Sequence, residues 1–542
     1  MLTPLRRSDQ INRLRSETFD VLVIGGGATG SGCALDAVSR GLSAALIDRF
    51  DLTSGTSSRS TKLIQGGVRY LEQAVKRLDR QQYALVRDAL HERRILLNIA
   101  PHLTRVLPIV TPIDRWLQVP YVLAGLRLYD WLAGHNRIGR GRYIRPSVAQ
   151  RRFPMLKANR LRGAVQYHDG QFDDARMNVS IALTAAHHGA AVANYVQAVD
   201  LCKTERGRIF GAEVQDRTTG EQWSIRAHAV INACGPFCDA IRQIDAPDAA
   251  PMLTVSSGVH IVLDARFSPP DTGLLIPKTD DGRVLFLLPW LGHTLVGTTD
   301  EPAKIEDHPP VSDDDVEYLL RHVRRYFDLP VTPGDIKAKW SGLRPLVTNP
   351  KSSGGTARIS RDHAVETSRS GLITITGGKW TTYRRMARDA VSEAIREASL
   401  RARDESRTET LKLIGAAEYH RDLADKLRAA YPISSETAEH LSHAYGDRAS
   451  DVLATEDGTL NQPLIEDYPY LESEVIYAAR NELAVTALDV LARRMRLAFV
   501  DRVAVDAALP RVVELLAREH GWNEARRQRE QHESMKQLAT AL

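Results

Sequence analysis

Three glycines and one acid are the residues whose types and spacing point most directly to chemistry. Gly25, Gly27 and Gly30 follow the apolar, β-branched run Val21-Leu22-Val23-Ile24 and open an Ala-rich segment, and a second apolar run then ends on Asp48. Strand, glycines, helix, strand and acid in this order form the G-x-G-x-x-G arrangement of a dinucleotide site, with the acid about twenty residues further on. Gly25 permits the tight turn, Gly27 lets a pyrophosphate approach the backbone, and Gly30 permits close packing of helix on strand. Ala28 and Thr29 stand at the helix start, where N–H groups and the positive dipole end hold phosphate. Asp48 accepts from a ribose hydroxyl and repels a 2′-phosphate. The motif alone leaves the kind of dinucleotide open.

A second set of polar residues follows Asp48. The loop FDLTSGTSSRSTKLIQGGVRYLE is rich in hydroxyls, among them Thr56, Ser57 and Ser58. It continues through Lys62 and Leu63 to Gln65, Gly66 and Gly67, and then Arg69-Tyr70. Such a loop supplies further donors to a pyrophosphate, or is a plain capped turn. Two distant stretches repeat the pattern of an apolar run stopping at glycine: AVINACGPF at Gly235, and GLITITGG at Gly378, followed by Lys379, Thr381 and Thr382. The second places a helix start where it faces an anion.

The elements that position these groups are legible in outline. Residues 72–100 and 172–189 have helical spacing, the latter capped near Asp173 or Asp174 and stopped by Gly189. Short strands punctuated by Arg206-Gly207, Thr219-Gly220, Asp281-Gly282 and Leu291-Gly292 fill much of 190–300. Helical pattern returns around 312–327 and dominates from about 400 onward. At 542 residues the chain exceeds one core, so two or three domains are expected. With 43% hydrophobic and 26% charged residues it has the composition of a soluble globular protein. No apolar run is long enough to span a bilayer, and the first residues lack the apolar stretch of a secretory signal. The four cysteines lack disulfide-scaffold, zinc or C-x-x-C spacing, which suits a reducing cytoplasm, and Cys234 and Cys238 read as buried packing residues. No metal-ligand pattern and no nucleic-acid-binding motif is present.

The net charge is +5, with basic clusters at Arg6, Arg7, Arg13 and Arg15 and at Arg140, Arg142, Arg145, Arg151 and Arg152. Each is an anion-binding patch or an ordinary solvated surface. Residues 116–133 are apolar, with Trp116, Tyr121, Tyr129 and Trp131 toward the ends, and fit a membrane interface, a core helix or a dimer contact.

A pure NAD site continues as β-α-β after its acid. Here the chain turns instead to a Ser/Thr loop, helices, a meander and a distant Gly-Gly corner, a discontinuity that suits FAD, whose ring sits far from its adenine. The motifs STKLIQGGVRYLE, DGQFDDARMN, INACGPF, VGTTD, WSGLRPLV, ISRDH and ITGGKWTTYR, with YGDRASDVL and RNELAVTALDVLARRMRLAF, resemble the FAD-dependent, respiratory glycerol-3-phosphate dehydrogenases. The resemblance runs from about Phe19 to Trp522 and is nearer the mitochondrial type, without appended EF-hand loops.

It implies an α/β fold with a discontinuous Rossmann-like FAD domain (19–75, 160–250 and 350–400). A substrate domain with an antiparallel sheet and a helical insertion (76–159 and 251–349) and an all-helical C-terminal domain (401–542) complete it, behind a basic tail (1–18). It implies oxidation of sn-glycerol 3-phosphate to dihydroxyacetone phosphate with hydride passing to FAD and electrons to ubiquinone or another quinone. Arg344, Arg361, Arg69, Tyr70 and Lys379 then grip the substrate. Arg suits a phosphate dianion because its donors are directional. Lys379 also offsets charge on reduced flavin.

Two positions depart from the family. Gln65 stands where the family has His, and a glutamine keeps the hydrogen-bonding shape but cannot titrate. His260 in SSGVHIVL is the first substitute base, or a satisfied core histidine; a water chain or Lys379 is the fallback. Cys234 replaces a family Thr. The resemblance places the protein peripherally on the inner face of the cytoplasmic membrane, against lipid head groups, and leaves a homodimer open. An oxidase using O2 and a weakly catalytic flavin-binding sensor are the alternative readings.

Overall fold

The structure, a computed structural model, describes residues 4–67, 80–115, 118–159, 161–348 and 363–541. Two sheets organise it. The first contains β1 (Thr18–Ile24), β2 (Ala44–Ile47), β7 (Ala191–Ala193), β8 (Val196–Lys203), β9 (Ile209–Asp216), β10 (Gln222–Asn232), β17 (His363–Thr367) and β18 (Leu372–Gly377). Its order is β17-β18-β10-β1-β2-β7, parallel from β18 to β7, with β8 and β9 added antiparallel to β10. β1 is buried on both faces, as an interior parallel strand must be, and its near-continuous Val/Leu/Ile run reflects that.

The second sheet holds β3 (Leu63–Ile64), β4 (Thr104–Ile113), β5 (Arg142–Ile144), β6 (Gly163–Phe172), β11 (Leu253–Leu263), β12 (Gly273–Ile276), β13 (Leu285–Trp290), β14 (His293–Gly297), β15 (Glu301–Pro302) and β16 (Ile336–Val347). It is antiparallel except where β12 meets β4. Because β3 and β6 lie here, residues 63–64 and 163–172 belong with the second sheet rather than with the dinucleotide domain.

Helix α1 (Arg7–Ser16) precedes β1, and α2 (Ala28–Ser39) joins β1 to β2. α3 (Arg80–Ile99) and α4 (Gln118–Ala133) flank β4, and α5 (Asp174–His187) follows β6, with Asp173 accepting from Ala175 and Arg176 N–H as its cap. α6 (Tyr383–Glu397) follows β18. One core packs the first sheet on α2, α5 and α6 through Val21, Val23, Leu46, Ile231, Met177 and Tyr383. A second joins the other sheet to the C-terminal helices through Trp340, Leu288, Leu491, Phe499 and Val512.

The basic N-terminal residues form no loose tail. Arg7 pairs with Asp216, Arg13 with Glu17, and Arg15 with Glu221, so this cluster is largely consumed by internal ion pairs. The second cluster keeps Arg140, Arg142, Arg145 and Arg151 exposed. Among the described residues no helix is long and apolar enough to cross a membrane.

The C-terminal helical part begins with a stretch that packs against the ends of α2 and α3. Arg403 N–H donates to Arg40 O and Leu413 N–H to Ile99 O, so residues 403–413 act as a strap. Beyond it, α7 (Glu472–Asn481), α8 (Arg502–His520) and α9 (Glu524–Ala541) surround the segment Asp489–Arg494. That segment carries a buried charged contact to the loop after β2. Arg493 Nε donates to Asp51 Oδ2 at 2.7 Å, and Arg494 grips both oxygens of Asp51 at 2.8 and 3.0 Å.

Asp51 is fully buried. Burial raises its pKa, but Arg494 and Arg493 outweigh that and hold the carboxyl below its ordinary range. Asp51→Ala strands two guanidinium groups inside the protein. It is expected to cost about 3–5 kcal/mol, read as a lower denaturation midpoint in urea; a loss under about 1 kcal/mol, the scale of a surface pair, would contradict this reading.

Candidate functional site

Strand order reverses across β1, with β2 on one side and β10 on the other, so a crevice opens at the carboxyl ends of these strands. Gly25 turns there with φ +113°, and a Cβ on it would stand 2.6 Å from Ala233 O. A Cβ on Gly30 would overlap the Gly25 carbonyl oxygen. The third glycine therefore lets α2 sit on the turn's own carbonyl, a closer contact than the helix-on-strand packing expected of it. Gly27 precedes α2, and Ser57 Oγ accepts from Ala28 N–H at 2.9 Å, so the Ser/Thr loop is fastened to the helix start. Asp48 Oδ2 accepts from Gly26 N–H at 2.6 Å and Oδ1 from Phe50 N–H at 2.8 Å. Burial pushes the Asp48 pKa up to about 6 despite those donors.

A cavity of about 1360 Å³ runs from this turn, larger than the ~300–1,000 Å³ of ordinary ligand pockets. Gly25, Gly27, Ala28, Thr29, Asp48, Thr56, Ser57 and Ser58 line one part, and Gly235, Gly378 and Lys379 line another. Gly235, Gly377 and Gly378 all have positive φ, at +54°, +80° and +66°, which explains glycine at both distant corners. Trp380 Nε1 donates to Ser57 O at 3.0 Å, tying the Gly-Gly corner to the hydroxyl loop. Residues separated by more than three hundred positions thus share one wall.

Other expected site residues lie off this cavity. Lys62 is completely buried. Its Nζ donates to Asp174 Oδ2 and Ser58 O, both at 2.7 Å, and burial lowers its pKa to about 8. These bonds fasten the loop, and Lys62 does not line the cavity. Leu63 is in β3, and Gln65, Gly66 and Gly67 follow it outside the cavity wall. Thr56 Oγ1 donates to Leu343 O and Ser58 Oγ to Gly55 O, so these hydroxyls also secure the loop. Thr381 is buried, and Thr382 Oγ1 donates to Lys379 O; neither lines the cavity.

Arg344 donates to Ser257 O, Asp300 Oδ1, Thr298 Oγ1 and Thr299 O, and it too lies outside the cavity wall. His260 is buried, stacked on Trp340 with ring centroids 5.4 Å apart, and its Nε2 is 3.0 Å from Thr61 Oγ1. Burial, with Lys62 and Arg344 nearby, pushes its pKa well below the usual value, so the ring is neutral near pH 7. It does not line the cavity, and its surroundings are those of the core-histidine alternative. Arg69, Tyr70 and Arg361 lie outside the described residues. Cys238 is buried as expected, whereas Cys234 is half-buried and lines the cavity.

Several lining residues carried no recognised signal. Arg49, next to Asp48, places its guanidinium 4.4 Å from the Phe237 ring centre and pairs with Asp307. Tyr195, between β7 and β8, and Val196 to Ala198 at the start of β8 reach the wall, where Val196 N–H donates to Asp48 O. Arg59 and Arg493 also reach it; burial and Arg493 together lower the Arg59 pKa to about 10. A signal for Arg493 was available: charged residues inside the apolar run LDVLARRMRLAF demand buried partners.

The fold and the turn define a dinucleotide-binding oxidoreductase with a second, antiparallel domain. Comparison agrees: the family described as "FAD dependent oxidoreductase" matches residues 20–384, and "C-terminal domain of alpha-glycerophosphate oxidase" matches 406–527. The mitochondrial glycerol-3-phosphate dehydrogenase of Homo sapiens is 49% identical over 538 residues, covering 97% of this chain and 74% of its own. The Arabidopsis thaliana glycerol-3-phosphate dehydrogenase SDP6 is 46% identical, covering 97% and 86%. The crystal structure of glycerol-3-phosphate dehydrogenase from Bacillus halodurans complexed with FAD superposes with a TM-score of 0.80 at 28% identity, covering 99% and 97%. The chain belongs to the FAD-dependent glycerol-3-phosphate dehydrogenase family. It is an oxidoreductase whose cofactor is FAD.

The residues present fit that cofactor. Two of the three motif glycines leave no room for a Cβ, Asp48 faces the cavity at the β2 end, and the volume accommodates an extended dinucleotide. Asp48 would hold the adenosine ribose, and the Gly25–Thr29 turn the pyrophosphate. Asp48→Ala is expected to lower FAD affinity at least tenfold. In the wild type, retention of the flavin should fall as pH drops through about 6, where the acceptor carboxylate gains a proton. Flavin released on gel filtration at pH 5 and pH 7.5 reads this; equal retention by the variant and the wild type would contradict it.

Proposed function

We propose that this chain oxidises the secondary alcohol of sn-glycerol 3-phosphate to dihydroxyacetone phosphate and passes the electrons, through FAD, to a membrane quinone. The observation that supports it most is the shared cavity, which joins the dinucleotide turn to the Gly378-Lys379 corner in a chain 49% identical to a glycerol-3-phosphate dehydrogenase. Bound FAD supplies a two-electron acceptor. The protein must then hold a small phosphate dianion, steady a secondary alcohol and receive its proton.

Lys379, at the cavity wall, offers a fixed positive charge to the phosphate or to the reduced ring. Arg344, Arg361, Arg69 and Tyr70 are assigned to the phosphate, for which directional guanidinium donors are well suited. Gln65 orients the alcohol without taking its proton. A proton bound for the neutral His260 Nε2 would pass through Thr61 Oγ1, 3.0 Å away.

The remaining parts of the reading are the acceptor and the location. Trp131 on α4 is 71% exposed, and the basic run Arg140, Arg142, Arg145 and Arg151 is exposed nearby in sequence. Aromatic and basic residues of this kind suit an anionic lipid surface. On this reading the enzyme lies peripherally on the inner face of the cytoplasmic membrane, with a homodimer as its expected assembly. The match of the C-terminal part to an oxidase domain keeps O2 in view as a rival acceptor. Turnover with glycerol 3-phosphate should reduce a ubiquinone analogue anaerobically, with little hydrogen peroxide released in air. Stoichiometric peroxide with no quinone reduction would assign the chain to the oxidases.

A further inference from the structure

Arg59 is a buried cation without a counter-ion. It follows Ser57 and Ser58 in the loop between β2 and β3, lines the cofactor cavity, and is 7% exposed. Its Nη1 donates to Ser341 O on β16 at 2.9 Å, and its Nη2 stands 3.3 Å from His308 Nδ1 in the loop after β15. A guanidinium can only donate, so His308 Nδ1 accepts. Neither partner is negative. The buried Nε of Arg59 has no hydrogen-bond partner at all.

The carboxylates in reach of its field are already engaged. Asp307, which attracts Arg59, is paired with Arg49. Asp51 and Asp489 are paired with Arg493, and Asp174 with Lys62 and Arg496. Among the described residues none forms an ion pair with Arg59. Arg493 adds repulsion, yet a pKa of about 10 keeps the guanidinium charged at pH 7. A buried charge is costly unless it is paired and hydrogen-bonded.

The side chain is nevertheless firmly seated. A Cβ on Gly342 would stand 2.8 Å from Arg59 Cβ and 3.2 Å from Arg59 O, so this glycine lets the loop lie close on β16. Of the five N–H donors of a guanidinium, two are engaged and three remain. A neutral donor would fasten the loop to Ser341 O without the cost of a buried charge. A fixed fork with unused donors at a ligand cavity is suited to phosphate, which it grips with directional, charge-assisted bonds.

We propose that Arg59, oriented by Ser341 O and His308, binds a phosphate group of a molecule in the cofactor cavity. Two sources share that chemistry. One is the pyrophosphate of FAD, since Ser57 at the start of α2 is two residues away. The other is the phosphate monoester of glycerol 3-phosphate, which rests on the substrate reading given above.

The test uses FAD-loaded Arg59→Met, Arg59→Gln and Arg59→Lys holoenzymes. Equilibrium dialysis gives the dissociation constant of FAD. Turnover at saturating FAD gives KM for glycerol 3-phosphate and the inhibition constant of inorganic phosphate, and the melting temperature is followed alongside. Arg59→Met should weaken one of the two ligands at least about tenfold, the scale of a hydrogen bond to a charged group. Arg59→Lys should recover part of that loss. A weaker FAD constant with KM and phosphate inhibition unchanged assigns the fork to the pyrophosphate. A higher KM and weaker phosphate inhibition, with kcat and the FAD constant little changed, assign it to the substrate. Should Arg59→Met fail to fold, Arg59→Gln, which can still donate to Ser341 O, decides on the same constants. Wild-type constants for both ligands in a folded neutral variant, with only the melting temperature lowered, overturn the proposal and leave Arg59 a fastening of the loop to β16. A wild-type chain that ignores glycerol 3-phosphate overturns the substrate reading instead, and the FAD constant alone then decides the role of Arg59.

Discussion

Two buried carboxylates, Asp51 and Asp174, hold the architecture together. Asp51 takes Arg493 and Arg494 from the C-terminal helical part and Asn194 from the end of the first sheet. Asp174, the first residue of α5, takes Lys62 and Ser60 from the hydroxyl loop, with Arg496 at 3.3 Å. Arg496 also donates to Ser58 O at 2.8 Å. Desolvating these charges is costly, so the pairs contribute less net stability than geometric definition. They allow one docking of the helical domain, and that docking fixes the loop between β2 and β3.

The site follows from this constraint. The loop so held presents Ser57 to the start of α2 and to the Trp380 indole, so the dinucleotide turn and the Gly377-Gly378 corner keep a set separation. An extended cofactor needs that separation, since its ring and its adenosine lie at opposite ends of a central pyrophosphate. The C-terminal domain is then more than an appendage, because its Arg493 reaches the cavity wall while anchoring Asp51. Cavity wall and domain docking share Arg493.

The sequence showed some of this more clearly than the rest. The strand-glycine-helix pattern around Gly25 to Gly30 was unambiguous because Gly25 and Gly30 leave no room for a side chain. The helix capped at Asp173 and ended near Gly189 was equally legible, since cap and stop signals are local. The partition of the sheets was not: β6 reads as a strand either way, and only its pairing with β4 places it in the second sheet. The surroundings of Lys62 and His260 were hidden for a related reason. Both are reactive types near site motifs, yet their burial against Asp174 and Trp340 depends on partners more than seventy residues away. Arg49 and Tyr195 were missed because they reach the cavity through backbone placement, which side-chain type does not announce.

The central claim is that one cavity seats flavin and a three-carbon phosphate ester so that hydrogen leaves C2 directly for the ring. Anaerobic stopped-flow mixing of the FAD-loaded protein with glycerol 3-phosphate, carrying hydrogen or deuterium at C2, tests it most directly. The account predicts rapid bleaching of the flavin band, several-fold slower with deuterium. Binding without bleaching, or bleaching at the same rate for both isotopes, would contradict it.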